Sequence, residues 1–119
     1  ERFVPVLADI LAKDTPSELS SLDAIISNPP YIPSSEISSL SPEVRQEPLR
    51  ALDGGEDGLV FYREITRKAE HIIKNDGFIL YELGIGEHIA VSRLATKLGY
   101  RGEIYKDLSG VERAILLRR

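Results

Sequence analysis

The fold of this 119-residue chain is decided by the stretch Leu22-Asp23-Ala24-Ile25-Ile26-Ser27-Asn28-Pro29-Pro30-Tyr31. Its apolar run, residues 22–26, stops at a polar pair followed by two prolines, which is the pattern of a buried strand that ends in a loop. The stretch therefore predicts a strand whose carboxyl end presents Asn28 and the residues that follow it.

Strands and helices alternate along the chain. Apolar residues at helical spacing predict helices at residues 59–74 and 87–98. Strands are predicted at residues 3–7, 22–26, 78–83, 101–106 and 113–117, with turn residues at 75–77. This order predicts an α/β fold with a mostly parallel sheet, closed by a C-terminal antiparallel hairpin. Residues 31–58, rich in Ser, Pro and Gly and without periodicity, are predicted to form a long loop.

Three segments are predicted to meet at one edge of the sheet. Ligands of such sheets bind beyond the carboxyl ends of the parallel strands. Asp9 follows the first predicted strand, Asn28 the second, and residues 82–86 end the third. We therefore expect the functional site where these three segments come together.

The tetrapeptide Asn28-Pro29-Pro30-Tyr31 suits the binding of a planar N–H group. The Asn28 side-chain carbonyl can accept one N–H, and the Pro29 carbonyl, held extended before the next proline, can accept another. Tyr31 can lie against the planar group and screen it from water. When both N–H groups donate to these carbonyls, electron density returns to the delocalised nitrogen and the nitrogen is aimed at a methyl donor. This arrangement requires no titratable base. A Pro-rich turn is the other interpretation, and the position directly after a strand favours the functional one.

Composition excludes several classes of site. The chain has no Cys, which rules out disulfides, thiolate metal sites and Cys nucleophiles and fits a cytoplasmic protein. The net charge of −4 argues against a nucleic-acid partner, and no apolar run is long enough to cross a bilayer. Glu43, Glu47, Glu56 and Asp57 lack ordered spacing and a His, so no metal site is predicted there.

Two motifs resemble those of one enzyme family. Residues 27–32 resemble the N/D-P-P-Y/F/W motif of amino-methyltransferases. The run Glu47-Pro48-Leu49-Arg50-Ala51-Leu52-Asp53-Gly54-Gly55-Glu56-Asp57-Gly58-Leu59 is more specific and resembles a segment of the HemK-type peptide chain release factor glutamine methyltransferases. The E-x-G at residues 82–84 and the closing hairpin resemble that family too. The resemblance runs from about Phe3 to the C-terminus.

The resemblance implies a Rossmann-like class I methyltransferase sheet and a set of site residues. The family transfers a methyl group from S-adenosylmethionine to the glutamine amide of the Gly-Gly-Gln motif in class 1 release factors. Asn28, Pro29, Pro30 and Tyr31 would hold that amide as the catalytic clamp. The remaining implied roles are substrate binding by Glu47 and Pro48, and cofactor binding by Asp9, Ile10 and Asn28.

The resemblance also implies that residues 1–119 form a single, N-terminally truncated methyltransferase domain. The family's Gly-rich cofactor loop and its acidic ribose-binding residue would precede this sequence, and the run Gly84-Ile85-Gly86 follows the wrong strand to replace them. We expect the chain alone to bind S-adenosylmethionine weakly or not at all. The strand at 22–26 is then expected to have an open edge through which the chain self-associates.

Two other functions remain open at this level. A DNA or RNA adenine-N6 methyltransferase needs the same clamp, and the negative charge and the segment at residues 47–59 argue against it. A non-catalytic interaction fragment that keeps only the fold has no need of the clamp.

Overall fold

The computed structural model describes residues 2–119, in which helices and strands alternate as predicted. The elements along the chain are β1 (Leu22–Ser27), a 3-10 helix (Ser34–Ser39), α1 (Pro42–Arg45), α2 (Leu49–Leu52), α3 (Val60–Ile72), β2 (Ile73–Glu82), α4 (His88–Lys97), β3 (Arg101–Lys106) and β4 (Glu112–Arg118). No helix in this range is both long and apolar enough to cross a membrane.

The four strands form one sheet in the order β1-β2-β4-β3. β1 pairs with β2 in parallel, whereas β4 is antiparallel to both of its neighbours, β2 and β3. Three strands therefore point the same way and only β4 is reversed. This confirms the predicted α/β class and the C-terminal antiparallel hairpin, and the sheet of residues 2–119 is mixed, with one parallel and two antiparallel strand pairs.

One face of the sheet forms the core together with α3 and α4. Ile79, Tyr81 and Leu83 alternate along β2 and its end, and all three are fully buried. Tyr62 of α3 packs edge-on against Tyr81, with ring centroids 5.1 Å apart. The Thr66 hydroxyl donates to the Tyr62 carbonyl at 2.6 Å and lies 2.8 Å from the Tyr81 hydroxyl, so these buried polar groups have partners.

The predicted first strand, residues 3–7, is wrong. Within residues 2–119 this segment pairs with no strand, and Phe3, Val4 and Leu7 are 77%, 62% and 103% exposed. A strand needs a neighbour for its backbone groups, and Pro5 lacks an N–H to offer one. β1 therefore lies at an edge of the sheet, as predicted, and Ile26 is 73% exposed there.

Residues 31–58 are not a featureless loop, since they contain the 3-10 helix, α1 and α2. The Ser41 hydroxyl accepts from the Val44 N–H at 3.4 Å, and Pro42 occupies the first helical position of α1. Helices of four residues are too short to produce a helical period in the sequence, which explains why the prediction missed them.

The predicted turn at residues 75–77 lies inside β2. Leu22 pairs with Ile73 and Ala24 pairs with Phe78, so residues 74–77 stand opposite Asp23 alone. The Lys74 ammonium bridges this bulge to the Asp23 carboxylate at 2.7 Å. The turn residues thus make a bulge in a strand that begins five residues earlier than predicted.

Candidate active site

The tetrapeptide leaves the sheet directly at the carboxyl end of β1. Asn28 is exposed, Pro29 is buried, and Pro30 and Tyr31 are half-buried. Two prolines in succession keep the backbone extended and remove two N–H donors that would otherwise need partners. The backbone therefore points away from β1 with the Asn28 side chain open to solvent.

Backbone hydrogen bonds attach the chain after the tetrapeptide to the second motif. The Ile32 N–H donates to the Leu52 carbonyl at 3.1 Å, and the Gly54 N–H donates to the Ile32 carbonyl at 2.8 Å. Ile32 and Asp53 thereby form an isolated parallel bridge. The two sequence motifs, which are separated by about twenty residues, meet side by side in space.

Asp53 strengthens this junction. Its Oδ1 accepts from the Ser34 hydroxyl at 2.6 Å and from the Gly55 N–H at 2.9 Å. The hydrogen bond from Ser34, and to a smaller extent that from Gly55, holds the pKa of the Asp53 carboxyl below its usual value. The carboxylate therefore links the chain on either side of the bridge.

Three glycines surround Tyr31. A Cβ on Gly54 would lie 2.7 Å from the Tyr31 Cα, one on Gly58 would lie 2.6 Å from the Tyr31 carbonyl oxygen, and one on Gly84 would lie 2.5 Å from Cδ1 of the ring. Each distance is shorter than a real Cβ contact, so any side chain at these positions would displace Tyr31. The second motif and the E-x-G segment thus fix the last residue of the tetrapeptide.

Three clefts border the tetrapeptide. The edge cleft, about 480 Å³, lies beside the open edge of β1 and is lined by Ile10, Asn28, Pro29 and Pro30 among others. The loop cleft, about 700 Å³, shares Ile10 and Pro30 with it and adds Asp9. The tyrosine cleft, about 690 Å³, is lined by Tyr31 and by side chains beyond it.

The structure therefore brings together most of the predicted site residues, but not all of them. Asp9, Ile10 and the three residues Asn28, Pro29 and Pro30 border two adjoining clefts. Tyr31 faces the separate tyrosine cleft. Glu47 and Pro48 are exposed and precede Leu49 and Arg50, which line the loop cleft. No group of three or more potential metal ligands occurs in the described part of the chain.

Sequence reasoning missed Lys68, which holds the segment that contains Asp9 and Ile10. Lys68 lies on α3 and is only 5% exposed. Its ammonium donates to the Ile10 carbonyl at 2.6 Å and also to the Ala12 carbonyl. Asp9 bends the same segment, because its Oδ1 accepts from the Leu11 N–H at 2.9 Å. A Lys on the apolar face of a predicted helix was the available signal.

Glu87 is the second residue that the sequence did not single out. It lines the tyrosine cleft, and its Oε1 is buried with no hydrogen-bond partner among residues 2–119. Burial, helped by the negative charges of Asp57 and Glu36, raises the pKa of Glu87 to about 7. The carboxyl can therefore be neutral at physiological pH.

Two proteins similar to this chain carry the same name. A release factor glutamine methyltransferase from Thermodesulfovibrio yellowstonii is 45% identical over 97 residues, which cover 80% of this chain and 35% of that protein. Another, from Clostridium botulinum, is 36% identical over 118 residues, covering 98% of this chain and 42% of that protein. The chain is similar to part of these release factor glutamine methyltransferases. The resemblance predicted from the two motifs is thereby confirmed.

A solved structure agrees with this relationship. The crystal structure of a release factor-specific protein-(glutamine-N5) methyltransferase from Alicyclobacillus acidocaldarius matches with a TM-score of 0.54 and 28% sequence identity, over 83% of this chain and 50% of that chain. No family model matches the chain. The chain spans about a third of the length of three release factor glutamine methyltransferases that it matches, 35%, 34% and 30% respectively.

Proposed function

We propose that this chain forms the acceptor-binding part of an S-adenosylmethionine-dependent methyltransferase that methylates a glutamine side-chain amide. The single observation that supports this most is the junction of the two motifs. The second motif places two glycines against Tyr31 and hydrogen-bonds the chain that follows it, so that the tetrapeptide is held in one conformation. Residues that bind a transition state must be positioned in this way before the reaction.

The proposed clamp acts through hydrogen-bond acceptors. The Asn28 side chain is exposed and makes no hydrogen bond within residues 2–119, so its carbonyl oxygen is free to accept an amide N–H. The Pro29 carbonyl is proposed to accept the second N–H of the same amide. Withdrawing both protons toward acceptors increases electron density on the nitrogen, and Tyr31 limits the access of water from its side.

We propose Asp9, Ile10 and Asn28 as the residues that contact S-adenosylmethionine, which supplies the methyl group when bound. The side chains that line the two adjoining clefts fit part of such a molecule. Ile10, Pro30 and Phe61 offer an apolar wall for a planar base, and the second oxygen of Asp9 remains available as an acceptor. Gly84 and Ile85 line the tyrosine cleft and not these two clefts, so the proposed cofactor contact is partial.

The proposed acceptor is the glutamine of the Gly-Gly-Gln motif in a class 1 release factor. The proteins that this chain resembles are named for release factors, which supports that acceptor. Glu47 and Pro48 are proposed to contact the release factor beside the loop cleft, because both are exposed next to Leu49 and Arg50. We also propose that residues 1–119 are one truncated domain of a longer enzyme.

The test is transfer of labelled methyl groups by the complete gene product. Label should enter a release factor at the Gly-Gly-Gln glutamine, and a factor with glutamine replaced by alanine should remain unlabelled. Asn28→Ala should reduce the rate by about 10²–10³-fold, as expected when one preorganised donor or acceptor is lost. Exposed Asn75→Ala, in the bulge of β2, is the matched control. Label that enters DNA instead of the release factor would contradict the proposed acceptor.

A further inference from the structure

The Glu87 carboxyl and Tyr31 both lie against Gly84 and Gly58, and both line the tyrosine cleft. A Cβ on Gly84 would lie 2.3 Å from Oε1 of Glu87 and 2.5 Å from Cδ1 of Tyr31, so both side chains reach the same point. A Cβ on Gly58 would lie 3.2 Å from Oε2 of Glu87 and 2.6 Å from the Tyr31 carbonyl oxygen. The carboxyl therefore extends between the two glycines that border the ring and the carbonyl of Tyr31.

The backbone around Glu87 holds this carboxyl in place. The Glu87 N–H donates to the Gly84 carbonyl at 3.1 Å, and the Glu87 carbonyl accepts from the Val91 N–H at 3.0 Å in the first turn of α4. Its side chain does not cap the helix. The position of the carboxyl is thus set by the turn that joins β2 to α4, and this turn follows the buried Leu83 of the core.

We propose that Glu87 is a positioning residue for Tyr31, and that its carboxyl couples the end of the acceptor tetrapeptide to the turn between β2 and α4. The importance of this coupling for methyl transfer rests on the function proposed above. The coupling itself concerns only side chains of this chain and can be tested without cofactor or acceptor.

The neutral form of Glu87 is the one that suits this position. Oε1 is shielded from water, which disfavours a charged oxygen there, and the backbone N–H of Gly84 beside the carboxyl offsets this cost only in part. Other groups face the same region from each neighbouring element: Glu36 on the 3-10 helix, Asp57 before α3, Tyr62 on α3, His88 on α4 and Arg113 on β4.

These neighbours do not neutralise a Glu87 carboxylate. Arg63 is engaged with Asp57 at 2.6 Å, and Arg113 with Asp107 at 3.2 Å. Asp57 and Glu36 carry charge of the same sign as the carboxylate. Ionisation of Glu87 is therefore expected to push the carboxyl toward solvent and away from the ring of Tyr31.

The experiment follows the tyrosine ring signals of the 119-residue chain by NMR, with ring-labelled tyrosine and Tyr31→Phe to assign Tyr31. In the wild-type chain the Tyr31 signals should shift between pH 6 and 8 with a midpoint near pH 7, whereas those of fully buried Tyr81 should not. Glu87→Gln, which mimics the neutral carboxyl, should abolish the shift and keep the low-pH signal positions. Glu43→Gln, an exposed carboxyl on α1, should leave the shift unchanged.

Two results would overturn the proposal. One is a wild-type Tyr31 signal that does not respond to pH over this range. The other is a response that persists in Glu87→Gln, which would come from a neighbour such as His88. Glu87→Ala should release the ring and move its signals at every pH, and if this variant does not fold, Glu87→Gln decides alone. A confirmed coupling in a chain whose complete gene product methylates no release factor would refute the proposed function and leave the positioning role intact.

Discussion

Replacing Lys68 by Met should release the segment that carries Asp9 and Ile10 while leaving the sheet folded. The ammonium makes two hydrogen bonds to backbone carbonyls of this segment, and each hydrogen bond from a charged group contributes about 1.5–3 kcal/mol. Much of this hydrogen-bond stabilisation is cancelled by the desolvation of the ammonium, which costs several kcal/mol in a buried position. We expect a net loss of about 2–3 kcal/mol in the free energy that holds the segment closed.

Trypsin cleavage after Lys13 measures this loss directly, since Lys13 is exposed at the end of the segment. When opening and closing are fast, the cleavage rate follows the population of the open form. A loss of 2–3 kcal/mol should therefore accelerate this cleavage by about 30- to 150-fold, because about 1.4 kcal/mol corresponds to a factor of ten. Lys97→Met, an exposed lysine on α4, is the matched control. Equal initial rates for the two variants would refute the anchoring role of Lys68.

Three further predictions concern binding, association and pH. Calorimetric titration of the 119-residue chain with S-adenosylmethionine should show weak binding or none, and tight saturable binding would contradict the proposed partial cofactor contact. Sedimentation should show self-association of the wild-type chain and weaker self-association of Ile26→Lys. Ile26 is exposed on edge strand β1, and a lysine there opposes pairing with a second chain. A strictly monomeric wild type would contradict association through this edge. The pKa of Glu87 is raised from 4.5 to about 7, so the folded state retains this proton and stability falls as pH rises through that window. Glu87→Gln should therefore match wild type in urea unfolding near pH 4, below the unfolded pKa of 4.5, and should exceed it by about 1–2 kcal/mol at pH 8. The full shift of about 3 kcal/mol is reduced here because the carboxyl is partly exposed, and a pH-independent difference would refute this prediction.

Most of the architecture could be predicted because the relevant signals are local. The helix at residues 59–74 appears as α3, Val60–Ile72, and the helix at 87–98 appears as α4, His88–Lys97. Both have apolar positions at helical spacing that pack on the sheet. The hairpin also follows from its turn, in which Oδ1 of Asp107 accepts from the N–H groups of Ser109 and Val111.

The errors arose where structure depends on distant partners. Residues 3–7 have the apolar, β-branched pattern of a strand, but pairing requires a neighbour that the described chain does not place beside them. The bulge in β2 depends on the register with β1, which no local pattern encodes. The turn predicted at residues 75–77 is wrong, because these residues form a bulge within β2.

The candidate site was predictable as a set of residues and only partly as a geometry. The order of strands placed Asp9, Asn28 and residues 82–86 near one edge, and Gly84 does contact the tetrapeptide at Tyr31. The direction of each side chain depends on packing, so the separation of Tyr31 from Asn28 into different clefts could not be foreseen. Lys68 contacts the distant segment at residues 10–12, and although its place on the apolar face of a helix was a signal, the sequence does not show which segment it holds.

The bridge between Ile32 and Asp53 closes the intervening segment into a loop. Its two ends are fastened by hydrogen bonds at Leu52 and Gly54, whereas its interior is mostly exposed. Lengthening such a loop adds little closure entropy, about 0.6 kcal/mol for each doubling. Residues 35–46, which precede the second motif, can therefore differ in length and sequence, and so in what they contact, while the tetrapeptide keeps its geometry. The loop that contacts a partner can therefore vary while the tetrapeptide proposed to take part in the reaction stays the same, although both lie in one short segment.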